Sequence, residues 1–262
     1  MSLGAARTAQ IASWYLSGVA NARRTGTAST NPSITYTAGG AVTSTAQYKF
    51  GTASEYVATS TNEIATTAGS PSYMNFGTGE FTIECWIYIP TVGSGHSASC
   101  DVMSNDTSGG FGFRLAQSYN TNSLNTANAR FLNIFARQQA DLDYWDLGTT
   151  WPAAAWNFVV IQRKGTDMCL WVNGVLQTRS GSGGGTRNFA SGTSILIGTA
   201  DGSNGVGPAY IDELCVSNTY RYTDTTAAIP VPTAAFTLDS YTSQLLHMDG
   251  ADGGTTFVNE TS

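Results

Sequence analysis

The nearest this chain comes to a catalytic constellation is Asp141-Leu142-Asp143. On a strand, residues two apart share a face, so both carboxylates would stand side by side with Trp145 next along. Glycoside hydrolysis with retention needs two carboxyl groups about 5–5.5 Å apart, one acting as nucleophile and one as acid. On a strand this is commonly met by an E-x-D-x-E run, and no such run exists here. Without a third acid the aspartates read as a solvated strand face or a weak cation site. Glu80 and Glu84 share a face but have Thr82 between them, and the adjacent Asp212 and Glu213 point to opposite sides. A serine triad would have to use His96 or His247, the only histidines. His96 sits in the loop GSGHSAS (93–99), and His247 falls in an expected strand between Leu246 and Met248. No enzyme is expected.

Binding asks for less. Sugars are held by aromatic platforms with amide or carboxylate acceptors nearby, often helped by Ca²⁺ on carboxylate and carbonyl oxygens. In DLDYWDLGTTW (141–151), Trp145 and Trp151 lie close to Asp143, Tyr144 and Asp146. This patch is the candidate contact for a glycan or a protein. Asp101, Asn105 and Asp106 in DVMSNDTSGG (101–110) are the candidate Ca²⁺ residues, although ordinary Asx-turn chemistry accounts for them better. No other cofactor is expected. Cys85, Cys100, Cys169 and Cys215 form no C-x-x-C pair and have no histidine beside them. They read as reduced, buried thiols, with one disulfide left open.

Such residues must be positioned by strands. Only 11% of the 262 residues are charged and 29 are glycine, whereas roughly 25% charge is usual for a globular domain. A neutral, turn-rich chain with regularly spaced aromatics suits a sandwich of many short strands. Net charge is −6 and lysine occurs only at Lys49 and Lys164. The basic stripe that would displace counterions from phosphates is missing, so neither nucleic acid nor an anionic membrane surface is an expected partner. No apolar run reaches the 18 or so residues of a spanning helix. Met1–Ala6 carries no basic n-region, so the chain is expected to be made in a cytosol or built into a particle assembled there.

Residues 6–24 stand apart. Ile11, Trp14, Tyr15, Gly18, Val19 and Ala22 recur at helical spacing, predicting a short helix that ends at Arg23-Arg24, where cations suit the C-terminus. A lone helix of this length is marginal in water. Its stripe of Ile11, Trp14, Tyr15 and Val19 must therefore pack on its own sandwich or anchor in a partner subunit. Residues 25–33 read as a linker, which divides the chain into an arm (1–30) and a sandwich (31–262). The segment 80–90 alternates Phe81, Ile83, Cys85, Ile87 and Ile89 against Thr82, Glu84, Trp86 and Tyr88, which makes it a central strand covered on both sides. Strands are also expected at 156–163, 168–172, 194–199 and 210–216. Asn173-Gly174 supplies a hairpin turn.

The series FGTGEFTIECW (76–86), WNFVVIQR (156–163), LWVNGVL (170–176), ILIG (195–198) and YIDEL (210–214), with Arg221-Tyr222-Thr223 and Phe236 after it, resembles the laminin G-like branch of the concanavalin A-like lectin and glucanase superfamily. The likeness covers about residues 34–249. It implies an all-β antiparallel jelly-roll β-sandwich of two curved sheets with six or seven strands each. It also implies core packing for Trp86, Trp156 and Trp171, and a structural Asp212-Glu213 pair bonding turn amides. The stretch STAQYKFG (44–51) resembles units common in bacteriophage structural and fibre proteins. The implied setting is a virion assembled in the host cytoplasm, with other virion proteins or further copies of this chain as partners.

In that family a strand like LLHMDG precedes the STAQxKFG stretch, whereas here it comes last, at Gln244–Gly250. Joining residues 259–262 to residues 31–34 would restore the order, so the unit is expected to be circularly permuted. Strand 244–249 would then lie beside 210–216, in its own chain or in a neighbour. The resemblance implies a non-enzymatic capsid decoration or other virion surface component with a lectin-like sandwich. The alternative is a receptor-binding fibre tip or adhesin recognising a cell-surface glycan, and a glycan hydrolase is a remote third. A fibre stalk would carry heptads or repeats, and their absence favours the first.

Overall fold

The computed structural model describes residues 21–27, 35–38, 40–58, 64–66, 76–90, 100–105, 111–117, 130–136, 142–148, 152, 154–179, 189, 195–198, 209–258 and 260. Their strands begin, in chain order, with β1 (Thr35–Ala38), β2 (Val42–Ser44), β3 (Ser54–Val57), β4 (Ile64–Thr66) and β5 (Phe81–Tyr88). Next come β6 (Cys100–Asn105), β7 (Phe111–Gln117), β8 (Arg130–Ala136), β9 (Leu142–Gly148), β10 (Trp156–Lys164) and β11 (Asp167–Val172). The series closes with β12 (Val175–Leu176), β13 (Ile195–Gly198), β14 (Ala209–Ser217), β15 (Thr242–Leu246) and β16 (Thr256–Val258). All pairings among them are antiparallel.

They form two sheets. One runs β16-β1-β4-β13-β6-β7-β8-β9, and the other β12-β11-β10-β5-β14-β3-β2 with β15 also on β14. The inner faces meet in one core. Phe81, Ile83, Cys85, Ile87, Val159, Ile161, Leu214 and Val216 come from the second sheet, and Val102, Trp145, Leu147, Ile197 and Phe257 from the first. Strict alternation along β5 selects these residues, because period two sends every second side chain to the same face. Cys85, Cys169 and Cys215 are buried free thiols.

The outer face of the second sheet is apolar as well. Trp86, Phe158, Val160, Trp171 and Cys215 are buried there with Tyr222, Ile229, Phe236 and Leu245. Residues 218–241 fold back over this face, and Asn21–Thr27 lie across it. The hairpin that ends β11 turns at Asn173 (φ 49°) and Gly174 (φ 80°), the two positive φ values of a type I′ loop. A Cβ on Gly174 would stand 2.5 Å from the Ile229 carbonyl oxygen, so glycine also lets the covering segment approach.

Strand β14 serves two neighbours along one edge. Its first half pairs with β3 and its second half with β15, Leu214 facing Leu246. Between them a bulge inserts one residue opposite β5, with Glu213 at φ 53°, as bulges do where a strand must change direction. The C-terminal segment therefore completes this sheet within its own chain, over Thr242–Leu246 rather than 244–249. Residues 247–250 leave it because Met248 adopts φ 59°. The next strand, β16, crosses to the other sheet and pairs with β1, Thr35 facing Val258.

The expected helix over 6–24 is corrected at its end. Asn21 is in a turn and residues 22–27 carry no helix, because their polar groups are drawn to the sandwich. Asn21 Nδ2 donates to the carbonyls of Asp224 (2.9 Å) and Ala228 (3.1 Å). Arg24 donates to the Tyr220 carbonyl at 2.7 Å. Ile11, Trp14, Tyr15 and Val19 lie outside the described residues.

Candidate functional site

Among the described residues, the outer face of the second sheet divides into a covered part and an open end. Under the cover, buried charges are matched one to one. Glu84 on β5 is fully buried and bound by Arg23 Nη2 at 2.8 Å, by Arg23 Nε, and by the Tyr222 hydroxyl at 2.7 Å. Arg221 is 0% exposed and uses all five N–H donors, on Ser217, Thr242, the Arg24 carbonyl and both oxygens of Asp239. A guanidinium with every donor used tolerates full burial. These carboxylates are structural.

At the open end the outward positions become aromatic and half-buried. Tyr56 on β3, Tyr210 on β14, Tyr88 on β5 and Trp156 on β10 are consecutive across four strands, since Tyr56 pairs with Tyr210, Tyr210 with Tyr88, and Tyr88 with Trp156. Ring centroids lie 4.8, 5.8 and 5.6 Å apart along the row. Directly opposed positions on neighbouring strands bring side chains into contact. Register thus converts four separate residues into one row, whose ring planes turn by 32°, 79° and 54° from one to the next.

The next row inward is Asp212 beside Trp86. Asp212 Oδ2 accepts from the Lys49 and Phe50 amides at 2.6 and 3.1 Å, and Oδ1 has no partner. Burial pushes Asp212 up to about 7, against the lowering pull of those amides. Trp86 is 3% exposed and its Nε1 is likewise without a partner. The Lys49 ammonium sits 4.0 Å from the Trp86 ring centroid, and Phe50 meets that ring edge-on at 5.9 Å. Glu213, one residue on, accepts from the Phe236 amide and contacts His247 Nδ1, both at 2.8 Å. The Asp-Glu pair therefore holds turns. His247 has Glu260 on its other nitrogen at 3.3 Å, so carboxylates occupy both ring nitrogens and no serine does.

The structure distributes the sequence candidates differently. Asp143, Tyr144, Trp145 and Asp146 all fall on β9, opposite β8, and not on a polar loop. Trp145 is 1% exposed and Leu147 3%, both in the core, so the Trp145 ring is packing and cannot serve as a platform. Period two places Tyr144 and Asp146 at the alternate positions. Trp151 and Asp141 lie outside the described residues. Asp101 and Asn105 belong to β6 rather than a turn. Asp106 and His96 lie outside the described residues. Among the described residues no group of three or more His, Cys, Asp or Glu side chains could hold a metal. Trp86 and Trp171 are core, and Trp156, half-buried, packs against the same outer cluster and also joins the row. Tyr56, Tyr88 and Tyr210 escaped the sequence reading. Each is an unremarkable strand-end tyrosine until register aligns it with the others.

A family model described as the concanavalin A-like lectin/glucanases superfamily matches residues 50–227, more than half of the chain. The chain belongs to this superfamily. Its jelly-roll domain is lectin-like, and β15 and β16 lie beyond the matched stretch. No curated protein sequence matches it. Among solved structures it resembles the binding domain of Paraclostridial Mosquitocidal Protein 1, with 14% identity and a TM-score of 0.54 over 75% of this chain and 45% of that one. The receptor-binding domain of botulinum neurotoxin C/D mosaic serotype follows, at 12% identity and TM-score 0.48, covering 74% and 44%. A heptameric SAP-like pentraxin from Limulus polyphemus has 13% identity and TM-score 0.45, covering 87% and 95%. The chain spans less than half the length of the two toxin domains. At these identities the first likeness establishes the fold.

Proposed function

We propose that this superfamily member is a non-catalytic binding domain that docks a saccharide across the row Tyr56–Tyr210–Tyr88–Trp156. The observation that carries the reading is that row: four half-buried rings in register at an end of the sheet that, among the described residues, lies outside the cover. Apolar sugar faces stack on such rings while phenolic hydroxyls remain free to hydrogen-bond. Of the carboxylates on the same sheet, Glu84 holds an arginine and Asp212 and Glu213 bind turn amides, which supports binding over hydrolysis.

Retardation of the chain in gels containing soluble polysaccharides tests it. Tyr88→Ala with Tyr210→Ala removes the centre of the row, and binding is expected to fall at least about tenfold with the unfolding midpoint largely kept. A wild-type chain that no polysaccharide retards, or a double variant retarded like wild type, overturns the reading. The setting proposed with it is the surface of a virion, as a capsid decoration or other exposed component, on the resemblance of residues 44–51. Antibody labelling of purified particles checks that setting, and unlabelled particles refute it.

A further inference from the structure

We propose that Trp86 and Asp212 form a polar subsite at the inner edge of the aromatic row that takes one hydroxyl group of an uncharged sugar. This rests on the saccharide reading of the row and adds the class of ligand. Two observations carry it. Trp86 Nε1, a donor, and Asp212 Oδ1, an acceptor, are both buried without a partner. The two residues are also cross-strand partners on the same face, one position inward from Tyr88 and Tyr210. Buried polar atoms are nearly always paired, and two lone ones of opposite role on adjacent strands define what is missing.

A hydroxyl meets both demands, since it accepts from an indole N–H and donates to a carboxylate oxygen. A bare cation cannot accept from the indole, and a carboxylate or sulfate cannot donate to an ionised Asp212. One short roof covers both groups: the Lys49 and Phe50 amides bind the other Asp212 oxygen, while the Lys49 ammonium and the Phe50 ring lie on Trp86. Lysine's long flexible stem can swing aside, which opens the subsite without moving the strand. The row would then hold sugar faces, and the subsite would select for a hydroxyl at one point along the chain.

The test uses the full chain and compares galactomannan, dextran and laminarin, which are neutral, with alginate, whose units carry carboxylates. Trp86→Phe keeps a ring beneath Lys49 and removes the donor, together with part of the buried indole's volume. It is expected to weaken binding of the retained neutral polymer about tenfold, the scale of one buried hydrogen bond. The smaller ring should lower its unfolding midpoint modestly, and Asp212→Asn, which keeps the packed volume, should weaken binding in the same direction. Preference for alginate over every neutral polymer overturns the proposal. So does a Trp86→Phe chain that binds like wild type while the Tyr88→Ala, Tyr210→Ala chain does not, a result that leaves the row reading standing. A wild-type chain that binds none of the four removes both.

Discussion

Replacing Arg23 by alanine is expected to destabilise the fold by about 3–5 kcal/mol, the usual cost of stranding one member of a buried ion pair. Glu84 is fully buried on β5, and its partners are Arg23 and the Tyr222 hydroxyl. Without the guanidinium the carboxylate keeps a single hydrogen bond in an apolar layer of Trp171, Phe236 and Cys215. Arg23 also lies 5.0 Å from the Phe236 ring centroid, so its stem and charge help close the cover. Changing both partners, Arg23→Ala with Glu84→Gln, should recover most of the loss, because the penalty belongs to the uncompensated charge and not to the missing pair. Urea unfolding followed by tryptophan fluorescence reads both variants. An Arg23→Ala chain within about 1 kcal/mol of wild type would show that Asn21–Thr27 are not part of the folded unit.

The second large effect concerns pH. Stability should rise as pH falls from 8 to 5. Glu55, on the core-facing side of β3, is 0% exposed, and neither carboxyl oxygen has a partner. Burial pushes it from 4.5 up to about 8. The folded chain therefore keeps a proton that the unfolded chain releases, and stability is full below about 4.5 and drains away as pH climbs toward 8. Asp212, raised by burial to about 7, works in the same direction over a slightly lower range. So does His247. The Glu213 hydrogen bond, against the opposing effect of burial, raises its affinity for a proton, so its contribution is present in acid and lost as pH rises through its folded value. Asp239 opposes them only in strong acid. Burial disfavours its charge, but Arg221 outweighs this and holds it down to about 2, so its contribution is lost only as pH falls below its ordinary 3.8. At pH 7 Glu55 alone accounts for roughly 3 kcal/mol of lost stability. Glu55→Leu should accordingly be more stable than wild type at pH 8 and show a flatter profile between 5 and 8. A wild-type profile that rises from pH 5 to pH 8 would contradict the burial of an unpartnered Glu55.

What could be read in advance was the interior of one sheet. Strand β5 carries apolar residues on both faces, β10 runs apolar from Phe158 to Ile161 and β11 from Met168 to Val172 before an Asn-Gly turn, and such signals survive without tertiary context. The other sheet was harder to see. Trp145 and Leu147 alternate as a buried strand requires, yet three aspartates within DLDYWD gave the segment a polar look and drew attention to the wrong face. The site was hidden for a different reason. Tyr56, Tyr88, Tyr210 and Trp156 are separated by up to 154 residues of chain, and they meet only because the cross-strand register puts each at the same height. The arginine clip was also misread, because cations at 23–24 suit a helix end as well as they suit a buried glutamate. Local pattern does not choose between those partners.

The pairing of β1 with β16 has one more consequence. Thr35 and Val258 are rungs of the same ladder, so the entry and exit of the sandwich stand side by side, and a turn of a few residues would close the backbone into a loop without disturbing a strand. A chain joined there and cut in another loop would keep the pairing of β1 with β16.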